Sequence, residues 1–110
     1  MKSYTDLEQS RKLKKILPLE SADMHYIIMG DDEDPQTIVG LGEYIGILPT
    51  IPAWSLSALI ELFDDKAGLA KDYGLWYCYD NGKSHCTKHY DNPIDAAFEM
   101  VCWLKENGKI

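Results

Sequence analysis

Between Leu75 and Tyr90 the chain places two thiols and two imidazoles, Cys78, His85, Cys86 and His89. These residue types support two kinds of chemistry: holding a metal ion, or activating a cysteine nucleophile with a histidine base. Either requires the groups to share a face. Leu75-Trp76-Tyr77-Cys78-Tyr79 is an aromatic run suited to a half-buried pleated surface. Asp80-Asn81-Gly82-Lys83 follows, and Asn-Gly supplies the two positive-φ residues of a type I′ turn, so Ser84 to Tyr90 is predicted as the return strand. With the turn at Asn81-Gly82, Cys78 lies opposite His85 and Tyr77 opposite Cys86. Cys78, His85 and His89 then point one way and Cys86 the other.

That set is incomplete. A closed structural zinc site takes four ligands; no fourth is adjacent, and His25 could join only through a tertiary contact. A one-residue register slip would also exchange the faces. Thiol catalysis needs an oxyanion site besides the Cys78–His85 pair, and nothing supplies it. No catalytic residue, cofactor or metal site is therefore assigned. Cys78, His85 and His89 stand as the weak metal candidates, against the alternative of a buried Cys78 beside partly exposed histidines.

Other motifs fail on geometry. Asp32, Asp34, Gln36 and Glu43 match four positions of an EF-hand loop, but Thr37 stands where glycine is needed and Pro35 intrudes. The glycines at 40, 42 and 46 do not form G-x-G-x-x-G, and Pro49 and Pro52 prevent the helix that would bind a phosphate. No G-x-S-x-G elbow occurs.

The elements that would position these residues follow from periodicity and caps. Thr5-Asp6-Leu7-Glu8 has the form of a capping box, and Leu7, Leu13, Ile16 and Leu17 have helical phase, predicting a helix from about Thr5 to Leu17 at the periphery. Met24 to Met29 is predicted as a strand stopped by Gly30. From Pro35 to Pro52, Thr37-Ile38-Val39 and Tyr44 to Leu48 have β character, and a second hairpin or an irregular loop both fit. Ser55 caps a helix whose Leu56, Leu59, Ile60 and Phe63 form one buried face, ending near Asp64 and Asp65. Ala67 to Gly74 is a connector. The last helix has Asn92 or Asp91 as cap, Pro93 in its first turn, an apolar stripe of Ile94, Ala97, Phe98, Val101 and Leu104, and a stop at Asn107-Gly108. The order predicts one α+β domain over residues 1–110, with about three helices on a small antiparallel sheet and a C-terminal β-hairpin followed by a helix.

Size and charge narrow the function. At 110 residues with 45% apolar content, the chain can build one core. It has no run near the roughly 18 apolar residues of a membrane span and no signal-peptide pattern, and its three cysteines lack C-x-x-C spacing. The expectation is a soluble, cytoplasmic protein with free thiols buried as small hydrophobes. A net charge of −7, with Arg11 the single arginine, argues against direct nucleic-acid binding. Arg11, Lys12, Lys14 and Lys15 are read as a solvated helix face, and Asp31 to Asp34 as a solvated loop.

In Leu48-Pro49-Thr50-Ile51-Pro52-Ala53-Trp54 the prolines hold the chain extended, leaving Ile51 and Trp54 outside any regular element. Trp54 either staples the following helix to the core or, with Ile51, anchors a partner. The phrases Ser21-Ala22-Asp23-Met24, Ile51-Pro52-Ala53-Trp54-Ser55-Leu56 with Leu59, and Asp91 to Ala97 resemble a family of small uncharacterised proteins from gut bacteria and their phages or mobile elements. The resemblance runs from about Ser10 onward. It implies an accessory role and carries no activity or catalytic residue. The reading chosen is a non-enzymatic accessory protein that contacts another protein through Ile51 and Trp54. The alternatives are a small Cys/His hydrolase or metal-binding protein using Cys78, His85 and His89, and an acidic mimic of nucleic acid.

Overall fold

The computed structural model describes residues 2–27, 38–39 and 50–110. The elements are α1 (Leu7–Ile16), a 3-10 turn (Leu19–Ser21), β1 (Met24–Ile27), β2 (Ile38–Val39), β3 (Thr50–Ala53), α2 (Leu56–Glu61), β4 (Ala67–Asp72), β5 (Leu75–Asp80) and α3 (Pro93–Glu106). The α+β class is as predicted, but the strands form two small antiparallel sheets, β2-β1-β3 and β4-β5. No helix among the described residues is long and apolar enough to cross a membrane.

α1 starts one residue later than its sequence signal. Asp6 is the N-cap: its Oδ1 accepts from Gln9 N at 2.8 Å, and Gln9 Oε1 accepts from Asp6 N at 3.1 Å. Thr5 is spent elsewhere. It is fully buried, its Oγ1 lies 2.8 Å from Ser10 Oγ, and it accepts from Trp54 N at 3.0 Å. Nor is α1 peripheral, because Leu13 and Leu17 are buried in the main core and the helix packs on β3 and α3.

β1 is central in its sheet, with His25 opposite both Val39 and Pro52. Pro52 lacks an N–H to give a ladder, and β3 is an edge strand, where that loss is tolerated. The predicted strand at Tyr44–Leu48, the EF-hand-like residues and the acidic run lie outside the described residues. α2 is capped by Ser55 Oγ, which accepts from Ala58 N at 3.2 Å. Leu59 and Phe63 face the core as expected, but Ile60 is 40% exposed because this short helix is covered on one side only. Asp64 and Asp65 end the turn with positive φ of 47° and 63°.

The largest departure is the hairpin. β5 pairs with β4, the segment taken for a connector, in the register Asp72↔Leu75 to Ala67↔Asp80. The two-residue turn is Tyr73-Gly74, with φ of 51° and 81°, as type I′ requires. Ala67-Gly68-Leu69-Ala70-Lys71-Asp72 has no β-branched or aromatic residue, so its propensity is silent. Packing overrides it: the Tyr79 ring lies on Gly68, where an added Cβ would stand 2.5 Å from ring and hydroxyl atoms. Asn81-Gly82 does not form the predicted turn. Instead the Asp80 carboxylate gathers the loop, accepting from Ser84 N at 2.8 Å, Ser84 Oγ at 2.9 Å and His85 N at 2.7 Å. Residues 85–90 still return beside β5, but only through isolated bridges at Tyr79↔Cys86 and Trp76↔Tyr90.

α3 agrees with its sequence signals. Asn92 caps it by accepting from Asp95 N at 2.9 Å, Pro93 opens it, and Gly108 with φ 67° follows its end. Ile94, Ala97, Met100, Val101 and Leu104 are fully buried, against α2, β5 and β4. Asp95 ties its start to the N-terminal chain, accepting from Lys2 Nζ at 2.7 Å and Gln9 Nε2 at 2.8 Å. Burial acts to raise the Asp95 pKa, but the bonds from Lys2, Asn92 and Gln9 outweigh it and hold the carboxyl below its ordinary 3.8. A depressed carboxylate stabilises the fold above its unfolded pKa, and that share is lost as pH falls through the folded pKa. Asp95→Asn should therefore lower stability at pH 7 by up to about 1 kcal/mol, solvent screening included. In thermal melts from pH 7 to pH 2 the deficit should close at the acid end.

Candidate functional site

The thiols and imidazoles do not converge. Cys78 is fully buried, and both its backbone groups are held by Thr87: Cys78 N donates to Thr87 Oγ1 at 2.9 Å, and Thr87 N donates to Cys78 O at 2.9 Å. Burial, reinforced by Glu99, pushes its thiol up to about 12, so no thiolate forms near neutral pH. His85 is not opposite Cys78; its ring stacks on Trp103 of α3, 4.6 Å away and 4° from parallel. His89 lies instead on the Tyr77 ring at 4.7 Å, with Nε2 3.8 Å from Asp72. The cause is the Asp80-centred loop, which shifts the return segment past the register that a two-residue turn would impose. His25 belongs to the other sheet, and its Nδ1 is buried without a hydrogen-bond partner among the described residues. No three described His, Cys, Asp or Glu residues are arranged to hold a metal ion.

Ile51 and Trp54 are not presented to a partner either. Ile51 is buried on β3 and Trp54 is fully buried. The indole N–H of Trp54 donates to Ser21 Oγ at 3.0 Å, its backbone N–H to Thr5 Oγ1 at 3.0 Å, and its carbonyl accepts from Thr5 N at 2.9 Å. This is the stapling role, not the anchoring one. Of the thiols, Cys78 and Cys102 are buried as expected, but Cys86 is exposed.

Two clefts among the described residues carry polar groups. One, of about 380 Å³, is lined by Glu20, Ser21, Asp23, Ser57 and Glu61, between the 3-10 turn and α2. Its Asp23 is already committed to the α2 cap, accepting from Ser55 N at 2.9 Å and Ser55 Oγ at 2.5 Å. The other, of about 350 Å³, is lined by Asp65, Lys66, Asp80, Asn81 and Lys109. There Lys66 Nζ is bonded to the Lys109 carbonyl and Asn81 Nδ2 to the Asp65 carbonyl. In the first, Ser21 and Asp23 serve the fold through Trp54 and Ser55; in the second, the lining polar groups bond one another.

Several of the exposed large apolar side chains gather on the hairpin. Along β5, Trp76, Cys78 and Asp80 lie on the side facing α3, so Leu75, Tyr77 and Tyr79 lie on the outer side. Opposite them on β4 stand Asp72, Ala70 and Gly68, the last two too small to cover their neighbours. Leu75 is 40% exposed and Tyr79 37%, while Tyr73 at the hairpin tip is 98% exposed. His89 borders this face on Tyr77, and Cys86 borders it beside Tyr79. The signal was present in the sequence as the period-two spacing of Leu75, Tyr77 and Tyr79 after Tyr73-Gly74.

No protein-family model, curated protein or solved structure matches the chain.

Two outcomes test this placement. Trp54→Ala should cost about 3–5 kcal/mol of stability in denaturant unfolding, the range for emptying a large aromatic site in a core. Under native conditions at pH 7.5 a small alkylating reagent should label Cys86 alone, and Cys78 and Cys102 only after denaturation, as read by mass spectrometry of digests.

Proposed function

We propose that this chain is a non-enzymatic interaction protein that binds another protein through the outer aromatic face of β4 and β5. Tyr73 carries the reading. A tyrosine at φ 51° occupies the left-handed region that favours Gly, Asn or Asp, at a backbone cost of order 1 kcal/mol. The same side chain is almost wholly in water, so it gains no burial energy from its own chain. Strain and exposure together are accounted for when a partner covers the ring.

Tyrosine suits that task because it offers a large, stiff, amphipathic surface and loses little entropy when fixed. Leu75, Tyr77 and Tyr79 extend the contact along one flat side, and the small Gly68 and Ala70 leave it unobstructed. The high Cys78 pKa and the separated histidines leave a hydrolase or metal protein without its machinery. The resemblance noted in the sequence supports an accessory role in a phage or mobile element, where a small protein acts by occupying a larger one.

Tyr73→Asn separates function from folding. Asparagine tolerates the left-handed conformation, so the variant should melt at or slightly above the wild-type temperature. A partner retained by the full wild-type chain in affinity capture should bind this variant roughly 30-fold more weakly, as for loss of a hot-spot aromatic. An unchanged set of captured proteins would overturn the assignment.

A further inference from the structure

The free edge of β4 shows what that strand is built to meet. On the far side of β5, Trp76 N donates to Tyr90 O at 2.6 Å and Tyr90 N to Trp76 O at 2.7 Å, while Asp80 N donates to His85 O at 3.1 Å. Cys78 also bonds away from β4, to Thr87. Opposed residues of an antiparallel ladder alternate between pairs that bond each other and pairs whose backbone groups all point outward. Trp76, Cys78 and Asp80 point outward on β5, so their partners Lys71, Leu69 and Ala67 point outward on β4. Among the described residues, nothing bonds the N–H or C=O groups of these three residues on that edge.

Edges of this kind are normally guarded by a charge, a proline or a bulge. β4 has no proline. Its one lysine, Lys71, lies with Nζ 5.1 Å from the Trp76 ring centroid, on the side facing the core. The exposed charges of β4, Lys71 and Asp72, stand at its turn end, and among the described residues the edge from Ala67 to Ala70 is left unguarded.

We propose that β4 pairs antiparallel with β4 of a second copy of this chain, about a two-fold axis normal to the sheet and centred on Leu69. Such an axis keeps each face of the sheet on its own side, so opposed residues must have the same parity. With Leu69 opposite Leu69, Ala67 meets Lys71 on both sides of the axis, and all the outward-pointing residues of both strands fall in bonding pairs. A shift of centre in either direction leaves some of them unused. The same register sets Lys66 opposite Asp72, which are exposed and of opposite charge. Gly68 falls opposite Ala70, so the side chains that β4 itself carries next to the axis on the outer side are small, and the Tyr79 ring that lies over Gly68 belongs to the aromatic face beside it. Leu69, only partly buried in one copy, meets its equivalent on the inner side. The product is a four-stranded sheet in the order β5-β4-β4-β5, with the two aromatic faces joined on one side.

Sedimentation equilibrium on the full chain tests this. At roughly 100 µM, the concentration scale of a weak interface, the wild type should be mainly dimeric. Ala67→Pro removes an outward N–H that the single chain does not use and should shift the protein to monomer. Asp72→Lys sets like charges opposite one another and should raise the dimer dissociation constant at least about tenfold. Adding Lys66→Asp to Asp72→Lys restores the pair in reverse and should recover wild-type association. If Ala67→Pro fails to fold by circular dichroism, the charge exchange alone decides. A wild type monomeric at this concentration, or a dimer indifferent to the charge reversal, overturns the proposal; a monomer that instead takes up an extended peptide would assign the edge to a different protein. Tyr73→Asn, at the hairpin tip, should leave association unchanged, so this result stands or falls apart from the partner-binding one.

Discussion

Trp54 is held at its indole nitrogen, its amide and its carbonyl, with no solvent contact at its side chain. Through those bonds it fastens the chain before α1, the 3-10 turn and the end of β3 to one point in the core. The neighbouring residue continues the work. Ser55 caps α2, and Asp23 in turn grips Ser55 by both backbone and hydroxyl. Tyr26 adds a bond from its hydroxyl to the Thr5 carbonyl at 2.9 Å. Thr5, fully buried, is a polar group that burial would penalise by about 1–3 kcal/mol if left alone. The network is thus self-consistent, and removing one member leaves the others unsatisfied.

The second centre of organisation is α3, whose apolar surface takes β4 and β5 on one side and α2 on another. Two carboxylates hold its surroundings in place. Asp95 joins the helix start to Lys2 and Gln9. Asp80 shapes the loop that delivers His85 to Trp103; burial acts to raise its pKa, and its bonds to His85 and Ser84 prevail to keep it low. The groups that share the hairpin's sequence lie apart in space: the His85 ring on Trp103, the His89 ring on Tyr77, and the Cys78 thiol in the core.

Much of the architecture was legible because caps and helical periods are local. Ser55, Asn92, Pro93 and the stripe from Ile94 to Leu104 act within a turn or two of themselves. What was illegible depended on distance. The role of Thr5 is set by Trp54, far along the chain, so the capping box read at Thr5 belonged to Asp6. β4 is made by Tyr79 lying on Gly68, a cross-strand contact that Ala, Gly, Leu and Lys do not advertise. Asn81-Gly82 carries the stronger hairpin composition and does sit in a turn, closed by Lys83 N donating to Asp80 O at 2.9 Å, but Tyr73-Gly74 makes the type I′ hairpin, because the Asp80 carboxylate draws the later turn into a longer loop. The half-buried character of Leu75 to Tyr79 was legible, whereas the burial of Trp54 was not, because its partners Thr5 and Ser21 lie far off in the chain.

The Tyr73-Gly74 turn also sets a direction for assembly in time. It brings β4 and β5 together across two residues, and α3 follows shortly in the chain. The bond from Trp54 to Thr5, by contrast, closes a separation of 49 residues. Contacts near in sequence need little loop closure and form early, whereas remote ones wait on a larger entropy loss. Sequence separation thus favours the hairpin with α3 forming first and the N-terminal half docking onto it through Trp54. The outer aromatic face of β4 and β5 would then exist before the rest of the molecule has closed.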